Sequence, residues 1–189
     1  FDKLRQANVD KIMEIPLDEL LPTVRDIRHV DGAVSLTEGP LSACDEMYVS
    51  PTGDANSFLS LVSFAVGERG RLAATTIMSR PGAVYASKDS LYVAVRHERG
   101  PGDDWFPTLE KDGTEATAVH KFALRPGGAA SEYAASGAVK GRLLNQFAMD
   151  EHSGALRIAT TSGYLPDPNV YSTVSVLMEQ GSRLAEVGR

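Results

Sequence analysis

The fold is decided by the stretch Leu143-Leu-Asn-Gln-Phe-Ala-Met-Asp-Glu-His-Ser-Gly-Ala-Leu-Arg-Ile-Ala-Thr-Thr161. It begins with an apolar run over residues 143–149 and continues with a turn signal over residues 150–154. An alternating run then starts at Leu156, with Leu156 and Ile158 on one face. An apolar run, an Asp/Ser/Gly turn and an alternating run in this order are typical of a β-hairpin.

Similar short runs, separated by clusters of Gly, Pro, Asp and Ser, continue through the chain from Leu41 onward. Short strands spaced by turns indicate an all-β sandwich, barrel or propeller. The predicted strands are residues 45–50, 58–66, 72–78, 83–86, 91–95, 116–124, 131–135, 143–149, 156–160, 171–178 and 183–187.

Internal repetition favours the propeller among these folds. Three segments resemble one another, Met47-Tyr-Val49, Leu91-Tyr-Val93 and Leu156-Arg-Ile158, and each is followed by a polar loop and two further runs. Tyr48 and Tyr92 are 44 residues apart, close to the ~40–45 residues of a four-stranded propeller blade. The alternative is a β-sandwich, whose strands are alike because β-strands generally are. We predict an all-β partial β-propeller of about three four-stranded antiparallel blades, within residues 41–189.

Residues 1–40 differ in pattern and are predicted to form an N-terminal connecting segment. Residues 9–15 have the composition of a strand. Pro16 precedes Leu17-Asp-Glu-Leu-Leu21, which predicts a short helix because Pro suits the first turn and acidic residues favour a helix N-terminus. Asp31-Gly32 marks a turn. Three repeats fall short of the 4 to 8 blades of a closed ring, so we expect a fragment of a longer propeller.

Composition excludes several classes of function. The 189 residues carry a net charge of −6 without a basic stripe, so nucleic acid is not expected as a partner. Cys44 is the only cysteine, which excludes an internal disulfide and a CxxC metal site. No apolar run approaches the roughly 20 residues of a membrane helix. The chain opens on Phe1 without a signal peptide, as expected of a processed chain or a fragment.

Several motifs together resemble a family of secreted bacterial and archaeal proteins with a C-terminal β-propeller distantly related to WD repeats. The most specific motif is Leu144-Asn-Gln-Phe-Ala-Met-Asp-Glu151, followed by Gly154-Ala-Leu-Arg-Ile-Ala-Thr-Thr161. Weaker matches are Ala83-Val-Tyr-Ala-Ser-Lys-Asp-Ser-Leu-Tyr-Val93, Val119-His-Lys-Phe122, Leu17-Asp-Glu-Leu-Leu-Pro22 and Ala43-Cys-Asp45. The resemblance covers most of residues 17–189.

This resemblance implies a secreted or surface-anchored propeller with no assigned catalytic activity, extending beyond both ends of the present chain. The sequence departs from the family pattern at Ala148 and His152, where Ser and an aromatic residue are expected. Neither departure threatens the fold. The resemblance transfers no functional residues.

Asp150, Glu151 and His152 form the first candidate site. The two carboxylates could ligate a hard cation such as Ca²⁺ through oxygen, and the imidazole could join them around a transition metal. The alternative is a hairpin turn in which Asp150 accepts hydrogen bonds from backbone amides. Adjacent strand residues point to opposite faces, so the three side chains converge only if the turn bends them together.

Asp103, Asp104 and Trp105 form the second candidate site. They lie in the loop Arg99-Gly-Pro-Gly-Asp-Asp-Trp-Phe106, which combines glycines, paired acids and two aromatic residues. Long loops in compact domains are often functional, and an aromatic ring beside carboxylates suits a sugar or a cation. The alternative is that Trp105 and Phe106 fold back and anchor the loop.

No G-x-S-x-G elbow, Walker lysine or HxxxH spacing is present in the sequence. The absence of these motifs favours a noncatalytic binding module, without a cofactor and with a protein or polysaccharide partner, and the family resemblance implies that it is secreted or at the cell surface. The alternative is an extracellular metal-assisted hydrolase or lyase with its site at the mouth of the propeller channel, using Asp150, Glu151 and His152. A purely structural spacer is a third possibility.

Overall fold

The computed structural model describes residues 1–49, 57–67, 72–100, 106–109 and 113–189. Its regular structure consists mainly of short strands, in two compact units, Phe1–Glu46 and Met47–Arg189. The helices are α1 (Asp2–Met13) and α2 (Leu17–Leu20), and the strands are β1 (Thr23–Val30), β2 (Ala33–Pro40), β3 (Met47–Val49), β4 (Phe58–Ser63), β5 (Ala73–Met78), β6 (Ala83–Ala86), β7 (Ser90–Glu98), β8 (Glu115–Ala123), β9 (Glu132–Lys140), β10 (Arg142–Leu143), β11 (Met149–His152), β12 (Ala155–Ser162), β13 (Tyr171–Gln180) and β14 (Arg183–Gly188).

The first unit contains both helices and an antiparallel hairpin of β1 and β2. The predicted turn at Asp31-Gly32 is confirmed, since both residues have positive φ angles, 50° and 80°, and form the two-residue connection. The predicted short helix after Pro16 is also confirmed as α2. The predicted strand at residues 9–15 is wrong, because most of this segment continues α1. Lys, Leu, Arg, Gln and Ala within α1 are strong helix formers.

Two four-stranded antiparallel meanders form the larger part of the second unit. The first meander is β6-β7-β8-β9 and the second is β11-β12-β13-β14, each with sequential neighbours hydrogen-bonded. The two meanders are joined through β14 and β9 into one nine-stranded sheet of order β10-β12-β13-β14-β9-β8-β7-β6, in which β11 pairs with β12. The Tyr85 hydroxyl on β6 accepts a hydrogen bond from the Glu151 N–H on β11, and β9 meets β14 in parallel at Ser136 and Arg183.

The first meander is covered on both faces. Tyr92 and Ala94 on β7 face the second meander, where they pack with Leu156 and Ile158 of β12. The alternate β7 residues, Leu91, Val93 and Val95, face the opposite way and pack with Ile77, Phe122, Leu59 and Leu61. Because β7 alternates between two apolar environments, it is buried along most of its length. One face of the nine-stranded sheet therefore packs against the β3-β5-β4 sheet around β7, and its other face carries the apolar cluster that the two meanders share.

The repeats led by Leu91 and Leu156 occupy equivalent second-strand positions, as the sequence predicts. The segment led by Met47 differs. Among the described residues it belongs to a three-stranded sheet of order β3-β5-β4, in which β3 runs parallel to β5. The four-strand pattern therefore describes two of the predicted blades, and the Met47 strand does not match the position of its counterparts.

The hairpin predicted from residues 143–161 is present, but its first strand and its turn begin later in the sequence than predicted. Its first strand is β11, and its turn is formed by Ser153 and Gly154 alone, with φ angles of 51° and 77°. Positive φ at both residues is the geometry of the tight turn that suits twisted strands. Most of the predicted strand 143–149 is instead a connector with a 3₁₀ turn at Gln146–Ala148, where the Asn145 side chain accepts a hydrogen bond from the Phe147 N–H.

Within the described parts of the chain, neither helix has the length and apolar character that a membrane span requires.

Candidate functional site

The structure separates the three residues of the predicted metal site. Asp150 is exposed and binds Arg157 through both carboxylate oxygens, with 2.9 Å between Arg157 Nε and Asp150 Oδ1. Glu151 points to the opposite face of β11, and His152 is exposed at the strand end. Among the described residues, no three His, Cys, Asp or Glu side chains are grouped to hold a metal ion. The metal site remains a prediction, and this arrangement does not bring its members together.

Glu151 lies at the seam between the two meanders. Its Oε2 accepts hydrogen bonds from the Tyr92 hydroxyl at 2.8 Å and from the Ser87 hydroxyl at 3.0 Å. Burial and the adjacent Glu151 carboxylate raise the pKa of Tyr92 well above its usual value. The phenol therefore stays protonated and donates to the carboxylate, which joins β7 to β11 across the seam.

The second predicted site, at Asp103, Asp104 and Trp105, lies outside the described residues. The next residue, Phe106, is described and packs edge-on against His97, with ring centroids 5.2 Å apart at an interplanar angle of 84°.

A charged cluster that the sequence analysis did not predict lies where β7 ends and β8 begins. We name it the Glu115 cluster, after its central carboxylate, whose side chain is 8% exposed. Glu115 accepts hydrogen bonds from the Tyr164 hydroxyl at 2.7 Å, from Arg142 at 2.9 Å and from Arg96 at 3.0 Å. Arg142 also stacks on Tyr164, with its Cζ atom 4.0 Å from the ring centroid. The cluster joins the first meander to the β12–β13 loop.

The electrostatics of the Glu115 cluster favour the ionised carboxylate. Burial alone raises the pKa of Glu115, but the Tyr164 hydrogen bond and the positive charges of Arg142 and Arg96 outweigh it and lower the pKa below its usual value. The hydrogen bond to Glu115 in turn raises the pKa of Tyr164. Two guanidinium groups and a phenol are thereby held in one geometry at the protein surface.

A cleft of about 230 Å³ adjoins this cluster. Arg96 belongs to both, and Arg80, Pro81 and Leu144 form other parts of the cleft wall. Leu144 is 86% exposed, and Phe147 in the same connector is 87% exposed. The Leu143 N–H donates to Thr117 Oγ1 at 3.1 Å, which attaches the connector to β8. Two large apolar side chains are thus presented to solvent by an anchored segment. We call Leu144, Phe147, Arg96 and Tyr164 the connector surface.

Sequence reasoning missed the Glu115 cluster because its members come from four separated segments. The run Arg96-His-Glu-Arg99 has the pattern of a solvated strand end, and Tyr164 lies between Gly163 and Leu165-Pro166, which is the pattern of a loop. The available signal was Glu115 itself, an acidic residue opening a strand with the otherwise buried pattern of β8. A charge at such a position usually has a partner.

Comparison with known proteins gives one family. The model of the Beta propeller domain family matches residues 1–189, the whole chain. The searches of curated proteins and of solved structures found no match to the chain.

Proposed function

The chain belongs to the beta propeller domain family, and from this premise we propose that it is a noncatalytic interaction module of a secreted or cell-surface protein. Propeller blades hold loops on rigid sheets, which suits recognition. The resemblance of residues 144–161 to a secreted family supports a location outside the cell. The proposed partner is another protein.

The observation that carries this proposal is the connector surface. Leu144 and Phe147 expose most of their area although they lie beside a packed seam. Exposed apolar groups framed by polar residues are typical of interaction sites. Phe, Tyr and Arg are also enriched at the centres of protein interfaces. Arg96 and Tyr164 are already fixed by Glu115, so a partner would meet them with little loss of side-chain entropy.

A site-specific cross-linking experiment tests the proposal. A photoreactive residue replaces Phe147 in the chain, and a control carries it at Val187, which is 48% exposed on β14. Both are offered to the surface and secreted proteins of the producing cells. We expect a protein that cross-links at position 147 and not at position 187.

Purified partner and chain are then titrated by calorimetry. Leu144→Ser and Phe147→Ser should each weaken binding about tenfold or more, the effect of losing roughly 1.4 kcal/mol. Val187→Ser should leave the affinity unchanged. Equal cross-linking at both positions, or a partner indifferent to both serine variants, would refute the connector surface as the interface. Retention of the parent protein inside intact cells would refute the proposed location.

A further inference from the structure

A second and larger cavity lies on the other side of the first meander, away from the connector surface. Its volume is about 460 Å³, within the roughly 300–1,000 Å³ typical of small-molecule sites. Its walls come from β8, β9 and β14 and from residues 106–108. Sites between packed elements of this size are usual places for ligands.

Small residues make room for this cavity. Ala118, Gly137 and Ala138 contribute to its lining, and none of them extends beyond a methyl group. Gly137 also allows β14 to approach β9 closely, because a Cβ atom there would lie 2.2 Å from the Leu184 carbonyl oxygen. The result is an apolar wall formed largely by backbone and methyl groups.

Phe106 and Pro107 provide further apolar surface at the same cavity. The edge-on contact with His97 fixes the orientation of the Phe106 ring. Phe106 belongs to the loop whose aromatic and acidic residues suggested a sugar or cation site. The described part of that loop therefore does reach a cavity.

Hydrogen-bonding groups lie on other parts of the lining. His120 is 1% exposed, and its Nδ1 atom is 2.9 Å from the Tyr133 hydroxyl, which fixes the imidazole ring. Ser136 pairs with His120 across β8 and β9 and also lines the cavity. Glu186 is held by Arg189 through bonds of 2.9 Å and 3.1 Å. Thr108 and Arg183 complete the polar lining.

We infer that this cavity binds a neutral sugar unit, as a monosaccharide or the end of a polysaccharide. Each sugar hydroxyl both donates and accepts hydrogen bonds, and the lining offers a carboxylate acceptor, a guanidinium donor and hydroxyls that do both. The C–H faces of a pyranose match the apolar surface of Phe106, Pro107 and the alanines. This site is separate from the connector surface and does not depend on the proposed protein partner.

The test uses the chain and a panel of neutral sugars in solution, namely glucose, galactose, mannose, N-acetylglucosamine and their β-linked disaccharides. Saturation-transfer NMR identifies binders, and calorimetry measures their affinity. We expect at least one sugar to bind saturably at one site. Ala185→Leu, which fills the cavity, should weaken binding more than tenfold, and Ser136→Ala, which removes a hydroxyl, about threefold or more.

Ala159→Leu is the matched control, because Ala159 is another half-buried strand alanine that does not line the cavity. It should bind the sugar like the unchanged chain, as should Phe147→Ser. Far-UV circular dichroism verifies that each variant is folded. If Ala185→Leu does not fold, Ser136→Ala alone tests whether the cavity binds the sugar. Absence of saturable binding by every sugar, or undiminished binding by the folded cavity variants, overturns the proposal. Binding of benzoate in preference to all sugars overturns the ligand class.

Discussion

Replacing Glu115 by Gln removes one negative charge from the centre of the Glu115 cluster and keeps the size and shape of the side chain. Three donors are affected, namely Arg96, Arg142 and Tyr164. A hydrogen bond to a charged group contributes about 1.5–3 kcal/mol and a neutral one about 0.5–1.5 kcal/mol, so roughly 1 kcal/mol is lost at each donor. Solvent screens part of this loss, because Arg96 is 41% and Arg142 22% exposed. The expected decrease in the free energy of unfolding is about 2 kcal/mol.

Urea unfolding followed by circular dichroism measures this decrease. Glu98→Gln is the matched control, since Glu98 also pairs with Arg96 but is 65% exposed. Glu98→Gln should decrease the free energy of unfolding by less than about 0.5 kcal/mol. A cycle with Arg142→Met should give a coupling energy of about 1 kcal/mol between Glu115 and Arg142. Equal losses for Glu115→Gln and Glu98→Gln would refute the reasoning, because a central buried carboxylate must matter more than a peripheral one.

Two further predictions concern pH and close packing. The pKa of Glu115 is lower in the folded chain than its usual value of 4.5, so its stabilisation is complete above that pH and is lost as the pH falls through the folded pKa. The difference in urea midpoint between the unchanged chain and Glu115→Gln should therefore shrink below about pH 4.5, and a difference constant from pH 7 to 3 would contradict this. Gly137→Ala should cost about 1–3 kcal/mol, because its Cβ atom would overlap the Leu184 carbonyl oxygen. Thermal unfolding compares it with Gly188→Ala, whose nearest neighbour is at an ordinary 3.8 Å; equal melting temperatures would refute the close approach of β14.

Alternation and turn residues predicted most of the strands in the two meanders. Residues 83–86 match β6 at both ends, and the Leu91 and Leu156 runs were placed in equivalent strands. The local sequence pattern gave a wrong prediction where tertiary packing decides whether an apolar run forms a buried strand or an exposed connector. The apolar residues at 143–149 suggested a strand, yet Leu144 and Phe147 are exposed. A run of apolar residues does not by itself indicate whether other segments of the chain will bury its side chains.

The β3-β5-β4 order also could not be predicted from the sequence. β3 pairs directly with β5, although β4 lies between them in the sequence. The choice between parallel and antiparallel neighbours depends on contacts distant in the chain. The Glu115 cluster has the same origin, since Tyr164 reaches Glu115 from 49 residues away. Side-chain clusters of this kind depend on tertiary structure and have no local periodicity that reveals them.

The double coverage of β7 and β8 has a consequence for how the second unit opens. A strand that is covered on both faces exposes more buried surface when it opens than a strand that is covered on one face. β7 and β8 are buried along most of their length, so amide protons of Val93, Val95 and Val119 should exchange with solvent only in the rarest openings. Strands with one uncovered face, such as β13 with its exposed Val174, should exchange sooner. Protection against hydrogen exchange would then fall from β7 and β8 toward the strands that have one exposed face.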